Sequence, residues 1–167
     1  GQLENGGITR FSGAPAFMAS VCRYAEENNL FFPVVRDVMS GGATVPMALV
    51  HSMHRVFPNA KLHVLYGSTE AEPIGSADYE ELIKLDGTRP GYLVGKPAHF
   101  VEMKIFNIDG YPESEEELFR CEAPQGQRGE ICVSGPHVLA SYVDNPAATR
   151  ENKIPRKNGG VWHRTGD

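Results

Sequence analysis

The chain has 167 residues, of which 41% are hydrophobic and 22% charged. That is enough apolar side chain for a packed core and argues against a disordered chain. A net charge of -5 and a pI near 5.7 argue against a duplex-binding surface, which needs clustered Lys and Arg, but leave room for a nucleotide that brings its own metal.

The first strong pattern is "APAFMASVCRYAEENN", which reads as a helix with Phe17, Val21 and Tyr24 at helical spacing. "FPVVRDVMSGG" then reads as a short strand ending in paired glycines. Thr44 is a candidate cap for the next helix, with Pro46 tolerated in its first turn. In that helix Leu49, Val50, Met53, Val56 and Phe57 fall on one face. "KLHVLY" follows as a second buried strand. A strand–helix–strand unit of this length implies a parallel, right-handed crossover.

The character changes in "DGTRPGYLVGKP", residues 86 to 97, which is rich in Gly and Pro. Beyond it the apolar period is two. In "FVEMKIF", Val101, Met103 and Ile105 alternate with Glu102 and Lys104. "QGQRGEICVSG" gives a turn and a strand, and "NGGVWHR" a hairpin turn and another strand. The charge run "ESEEEL", residues 113 to 118, reads as a solvated loop or edge without chemistry. The expected fold is α/β: a partial parallel strand–helix–strand layer over residues 1–90, then an antiparallel β-barrel-like subdomain over 91–167. No repeat at solenoid periods is visible.

Cys22, Cys121 and Cys132 form no CxxC pair and are odd in number, so reduced thiols and a cytoplasmic location are expected. No run of about 18 apolar residues suggests a membrane span. "GQLENGGITR" lacks the apolar centre of a signal peptide, and so abrupt a start reads as a cut that would also remove any targeting segment.

The chemistry gathers where the two parallel strands end. Ligands of open parallel sheets bind beyond the carboxyl ends of the strands. The two ends here are "SGGAT" and "YGSTE", and neighbouring strands would make them share a crevice. Gly41 and Gly42 bare the backbone to a flat ring, and Tyr66 offers an aromatic face for stacking. Gly67 permits close approach, Thr69 supplies a hydroxyl for a phosphate oxygen, and Glu70 is a hard ligand for Mg²⁺ carried by phosphates. On spacing alone, a turn with Ser68 or Thr69 capping a following helix is the favoured reading of "YGSTE". "SGGA" by itself likewise reads more readily as a turn.

Four stretches in order change that balance. "SGGATVP", "YGSTE", "GEICVSGPHVLASYVDNPAAT" and the terminal "WHRTGD" resemble successive motifs of the adenylate-forming superfamily, with acyl-CoA synthetases, peptide-synthetase adenylation domains and luciferases among its members. The resemblance covers essentially the whole chain. It implies activation of a carboxylic acid with ATP to an acyl adenylate, followed in many members by transfer to coenzyme A. It further implies that Gly41, Gly42 and Ala43 line the adenine, Tyr66 stacks on it, and Gly67 and Ser68 belong to the same nucleotide loop. Thr69 and Glu70 would act at the reacting phosphate, Thr69 on the α-phosphate and Glu70 on Mg²⁺, while Asp167 would bind both ribose hydroxyls. Ser141 replaces a glycine common before the tyrosine of its motif, with an altered turn as the expected effect. The superfamily's phosphate loop and its lysine-bearing C-terminal domain have no counterpart in these 167 residues. The expectation is therefore an internal piece of the large N-terminal domain, inactive by itself because its positioned cations lie elsewhere.

The acid is weakly specified. "YGSTEAEPIG" looks most like ligases for fatty or related hydrophobic acids, then like the β-lactone-forming ligases of olefin biosynthesis, then like amino-acid adenylation domains. A non-catalytic nucleotide-binding or assembly module remains the alternative of another class, with exposed sheet edges inviting self-association. His51 and His54 share a helix face but lack a third metal ligand and read as surface residues. Trp162 reads as core, Arg164 and Lys96 as solvated charges. Phe17 and Met18 read equally as helix core or as neighbours of the acyl group.

Overall fold

A computed structural model describes residues 2–88 and 91–167. The chain divides into two compact units, Gly1–Tyr66 with Gly75–Lys96, and Gly67–Ile74 with Pro97–Asp167.

The elements of the first part are α1 (Gln2–Asn5), β1 (Arg10–Gly13), α2 (Pro15–Glu27), β2 (Asp37–Ser40), α3 (Met47–Val56), β3 (Lys61–Ser68), β4 (Ala71–Asp78), α4 (Tyr79–Leu85) and β5 (Lys96–Pro97). Their sheet has the order β1-β2-β3-β4-β5. β1, β2 and β3 run parallel, with Ser12 opposite Met39 and Met39 opposite His63. The expected strand–helix–strand crossover is thus β2–α3–β3. The α3 face turned inward is the expected one: Leu49, Val50, Met53 and Val56 are buried, as is Phe57 just beyond the helix. Phe57 packs against Phe32 and Phe11 with ring centroids 5.7 Å from each.

The face of α2 differs from expectation. Met18, Cys22 and Ala25 are its inner side chains, while Phe17 and Tyr24 are more than half exposed. Small and sulfur-bearing residues win because α2 packs closely on α3; Glu26 of α2 accepts hydrogen bonds from Ser52 at 2.6 Å and Arg55 at 2.7 Å. Thr44 does not cap α3. Pro46 occupies the cap position with extended backbone, and Thr44 stands two residues outside it, exposed. No helix follows "YGSTE" directly, as the turn-and-cap reading had it. The chain reverses at Thr69 and Glu70 and returns as β4. Proline, glycine and alanine in "AEPIGSAD" obscure that strand in the sequence, yet Ala71, Ile74 and Ala77 are buried. The next helix, α4, starts at a capping box made by Asp78 and Glu81.

The second part contains β6 (Glu102–Phe106), α5 (Glu115–Arg120), β7 (Glu130–Ser134), α6 (Pro146–Asn152), β8 (Lys153–Pro155) and β9 (Val161–Arg164). Its four strands pair antiparallel in the order β6-β7-β9-β8, an open sheet rather than a closed barrel among the described residues. Phe106, Leu118, Cys132, Ile154 and Trp162 form its core. Phe106 carries the inward role on β6, and Met103 and Ile105 stay half-buried.

"ESEEEL" is not a solvated loop. Ser114 caps α5 by accepting from the Glu117 amide at 3.2 Å, and Leu118 enters the core completely. Glu115 Oε1 accepts from Trp162 Nε1 at 2.9 Å and from Arg156 Nε at 3.3 Å. One helical turn therefore presents its carboxylates to solvent except at Glu115, which pins the helix to β9. All three cysteines are free, as expected; burial pushes the Cys22 and Cys132 thiols up to about 11 and about 12.

Candidate functional site

In the first unit, β2 ends at Ser40, which pairs with Val64 of β3. At the next residue a Cβ on Gly41 would stand 2.7 Å from the Leu65 carbonyl oxygen and 3.0 Å from Leu65 Cβ. Only glycine lets the loop lie this close to β3, one residue short of Tyr66. Gly42 has φ +79, a left-handed conformation that favours glycine, and its missing Cβ would meet nothing within 4 Å. Gly42 and Ala43 are exposed and Tyr66 is half-buried. The two strand ends are therefore adjacent, with bare backbone on one and an aromatic residue on the other.

In the second unit, Thr69 and Glu70 form the reversal between β3 and β4; Thr69 is exposed, while Ser68 and Glu70 are half-buried. A side chain on Gly67 would collide with the Glu72 carboxylate and approach the Ala71 carbonyl to 3.0 Å. Glu70 is held twice. Its carbonyl accepts from the Leu139 amide at 2.9 Å, and its Oε1 accepts from the Tyr142 hydroxyl at 2.9 Å. That hydroxyl bond is the main reason the Glu70 carboxyl lies below the usual carboxylate range. Burial, then Glu70, pushes the Tyr142 phenol up to about 12, so it stays a donor. The loop that carries Tyr142 is fixed in turn: its amide donates to Thr149 Oγ1 at 3.0 Å, and that hydroxyl donates to the Asn145 carbonyl at 3.0 Å.

Asp167 is exposed beyond β9, beside a cleft of about 550 Å³ whose lining includes Tyr111, Glu130, Asn152 and Arg164. The "RTGD" backbone is tied to β7. The Thr165 amide donates to the Ile131 carbonyl at 3.1 Å, and the Ile131 amide donates to the Asp167 carbonyl at 3.0 Å. Arg164 is not a solvated charge. It holds Glu130 through Nε at 3.1 Å and Nη2 at 2.8 Å, with both side chains largely buried. This clamp stiffens the strand end that presents Asp167.

Other candidates fall elsewhere. Lys96 is exposed and pairs with Glu81. His54 stacks on Tyr79 at 4.0 Å, and no group of three or more His, Cys, Asp or Glu side chains suits a metal among the described residues. Met18 is core, Phe17 is exposed, and Trp162 is core as expected. Tyr142 and Lys153 escaped sequence reasoning. Tyr142 sits inside a motif, but nothing in its spacing announces a partner 72 residues earlier. Lys153 is polar in a strand position that is buried, a signal visible only once the strand is placed.

A family model described as "AMP-binding enzyme" matches residues 1–143. The chain is 31% identical to an olefin beta-lactone synthetase of Stenotrophomonas maltophilia over 99% of its own length and 30% of that protein's. It is 32% identical to 4-coumarate:CoA ligase 1 of Petunia hybrida, over 99% of this chain and 28% of that one. It thus spans less than a third of the length of either relative. Among solved structures, a long-chain-fatty-acid-CoA ligase from Archaeoglobus fulgidus shares the fold with a TM-score of 0.75 at 20% identity, over 99% of this chain and 32% of that one.

Proposed function

The chain belongs to the AMP-binding enzyme family, and from that premise we propose that it forms part of an AMP-forming ligase that activates a carboxylic acid with ATP. The product is an acyl adenylate, with coenzyme A as the subsequent acceptor. The single observation that supports this reading best is the glycine pair at the end of β2: Gly41 packed on Leu65, and Gly42 open to solvent next to the strand end that carries Tyr66.

The roles divide by chemistry. Gly41, Gly42 and Ala43 supply a backbone face for adenine, and Tyr66 supplies the stacking ring. Gly67 and Ser68 shape the turn that follows. Thr69, exposed at the reversal, donates its hydroxyl to the α-phosphate. Asp167 offers two acceptor oxygens to the ribose hydroxyls. Glu70 fits a hard divalent cation: its carboxyl is ionised at neutral pH, and Tyr142 occupies only one of its oxygens. Mg²⁺ held there would neutralise phosphate charge as the carboxylate attacks. Residues 1–90 and 91–167 serve as the α/β part and the antiparallel-sheet part of one AMP-binding domain.

A fatty or other hydrophobic acid is the substrate class favoured by the "YGSTEAEPIG" stretch. The identity to an olefin beta-lactone synthetase supports a second reading, in which the acid carries a β-hydroxyl that attacks the adenylate's carbonyl carbon, closing a lactone and expelling AMP. The 167 residues alone should bind nucleotide without turning it over, because they lack the cationic phosphate loop and catalytic lysine that the resemblance implies.

The test is ATP binding by calorimetry with pyrophosphate exchange measured alongside. Saturable ATP binding, lost in Tyr66→Ala and in Asp167→Ala, with no exchange, is the expected result. Wild-type affinity in both variants sinks the assignment. Exchange with fatty acids by the 167 residues overturns their predicted inactivity.

A further inference from the structure

Lys153, the first residue of β8, is 4% exposed. It stands opposite His163 of β9. Among the described residues its Nζ has no hydrogen-bond partner. The Tyr142 ring covers the ammonium, with Nζ 5.2 Å from the ring centroid. An aromatic face attracts a cation but leaves its three N–H donors without acceptors. Glu70, held by the same tyrosine, acts on Lys153 by attraction through space and not by contact. His163 is kept neutral at physiological pH by burial and by Lys153 itself, and its Nδ1 lies 3.3 Å from the Asn152 carbonyl oxygen. A buried ammonium without acceptors is costly, so such a group persists where something supplies them.

The space for a supplier is present. Lys153 lines a cleft of about 640 Å³ together with Tyr142, Thr149 and Arg150, and Glu113 and Asp144 stand on its wall. Neither acid bonds Nζ. The cleft lining thus includes a residue whose buried ammonium is unsatisfied, beside a wall of mixed charge.

We propose that Lys153 anchors an oxyanion subsite in this cleft, where its ε-ammonium donates to a phosphoryl or carboxylate oxygen of a ligand seated beside Tyr142. The shared chemistry is an oxygen anion small enough to reach a buried donor. It comes either from the phosphate chain of a nucleotide or from the acid to be activated. The natural ligand rests on the nucleotide reading above, and the experiment separates the two.

The 167-residue chain and its Lys153→Met and Lys153→Gln variants are titrated calorimetrically with inorganic pyrophosphate, with octanoate and with adenosine, after circular dichroism confirms folding. In the wild type, the lysine side-chain Cε resonances are also followed by carbon-13 NMR with and without each anion. The expected result is at least tenfold weaker binding of one anion in both variants, unchanged adenosine binding, and a shift of the Lys153 resonance but not that of exposed Lys157 with that anion. Pyrophosphate as the responsive anion assigns the subsite to phosphate, and octanoate assigns it to the acid. Anion affinity unchanged in the variants, or a Lys153 resonance unchanged by both anions, overturns the proposal. If adenosine fails to bind while a Lys153-dependent anion does, the nucleotide reading falls and the subsite stands. The NMR arm decides the matter alone if neither variant folds.

Discussion

The Tyr142 hydroxyl donates to Glu70 Oε1 at 2.9 Å, joining a strand reversal to a loop 72 residues further along the chain. The bond is the main reason the Glu70 carboxyl lies below the usual carboxylate range, ahead of its own backbone amide. Tyr142→Phe removes the donor and little else. The loss should cost about 1 kcal/mol of stability and raise the Glu70 carboxyl toward its ordinary value. A group with a depressed folded-state pKa adds stability above its unfolded value and loses it as pH falls through the folded one. The variant should therefore lose less stability than the wild type on acidification below about pH 4.5. Carbon-detected NMR titration of Glu70 reads the shift directly, and an unchanged carboxyl in Tyr142→Phe contradicts this role.

Lys153 titrates in the opposite sense. Burial depresses its ammonium to about 8 against an ordinary 10.5, with Glu70 resisting. Between those values the unfolded chain binds more protons than the folded one, so this group makes stability rise with pH across that window. Cys22, Cys132 and Tyr142 oppose it at higher pH, since their folded-state values are raised. The comparison with Lys153→Met cancels them. The variant should melt higher than the wild type at pH 7, and the gap in Tm should narrow from pH 8 to pH 10. A constant gap rules out a depressed lysine.

These two residues mark where sequence reasoning ends. Parallel β2 and β3, the α3 face and the glycine-bearing strand end were legible, because 3.6-residue and two-residue periodicities are local. β4 was not, because Pro73, Gly75 and three alanines or serines mask a strand that is specified by its neighbours. α5 was hidden by its own charge. The Ser114–Glu117 start signal lies inside the acidic run, and only Leu118 betrays an inner face. The Glu70–Tyr142 bond and the burial of Lys153 depend on long-range packing, which no local pattern encodes.

Glu115 shows how one acid in that run differs from its neighbours. It serves Trp162 Nε1, Arg156 Nε and the Lys157 amide, the last at 3.2 Å. Glu115→Ala strands a buried indole N–H and should cost about 1–3 kcal/mol. Glu115→Gln keeps a carbonyl acceptor and should recover much of that loss. Glu116→Ala, at the exposed neighbour, should change stability by less than about 0.5 kcal/mol. Chemical denaturation of the three variants orders them, and equal midpoints for Glu115→Ala and Glu116→Ala refute the pinning role.

The glycine pair separates a structural need from a binding need. At Gly41 a methyl group meets the Leu65 carbonyl oxygen at 2.7 Å, so Gly41→Ala must push two strand ends apart. It should lower stability by about 1–3 kcal/mol and weaken nucleotide binding as a consequence. At Gly42 the obstacle is φ +79 rather than space. Asparagine enters that backbone region more easily than other side chains. Gly42→Asn should therefore melt close to the wild type while placing a side chain over the face assigned to adenine. ATP affinity in Gly42→Asn should fall at least tenfold with Tm nearly unchanged, measured by calorimetry and thermal melting on the same samples. Wild-type affinity in a folded Gly42→Asn means that no purine lies on this backbone, and the chemistry assigned to the strand ends must then be sought elsewhere.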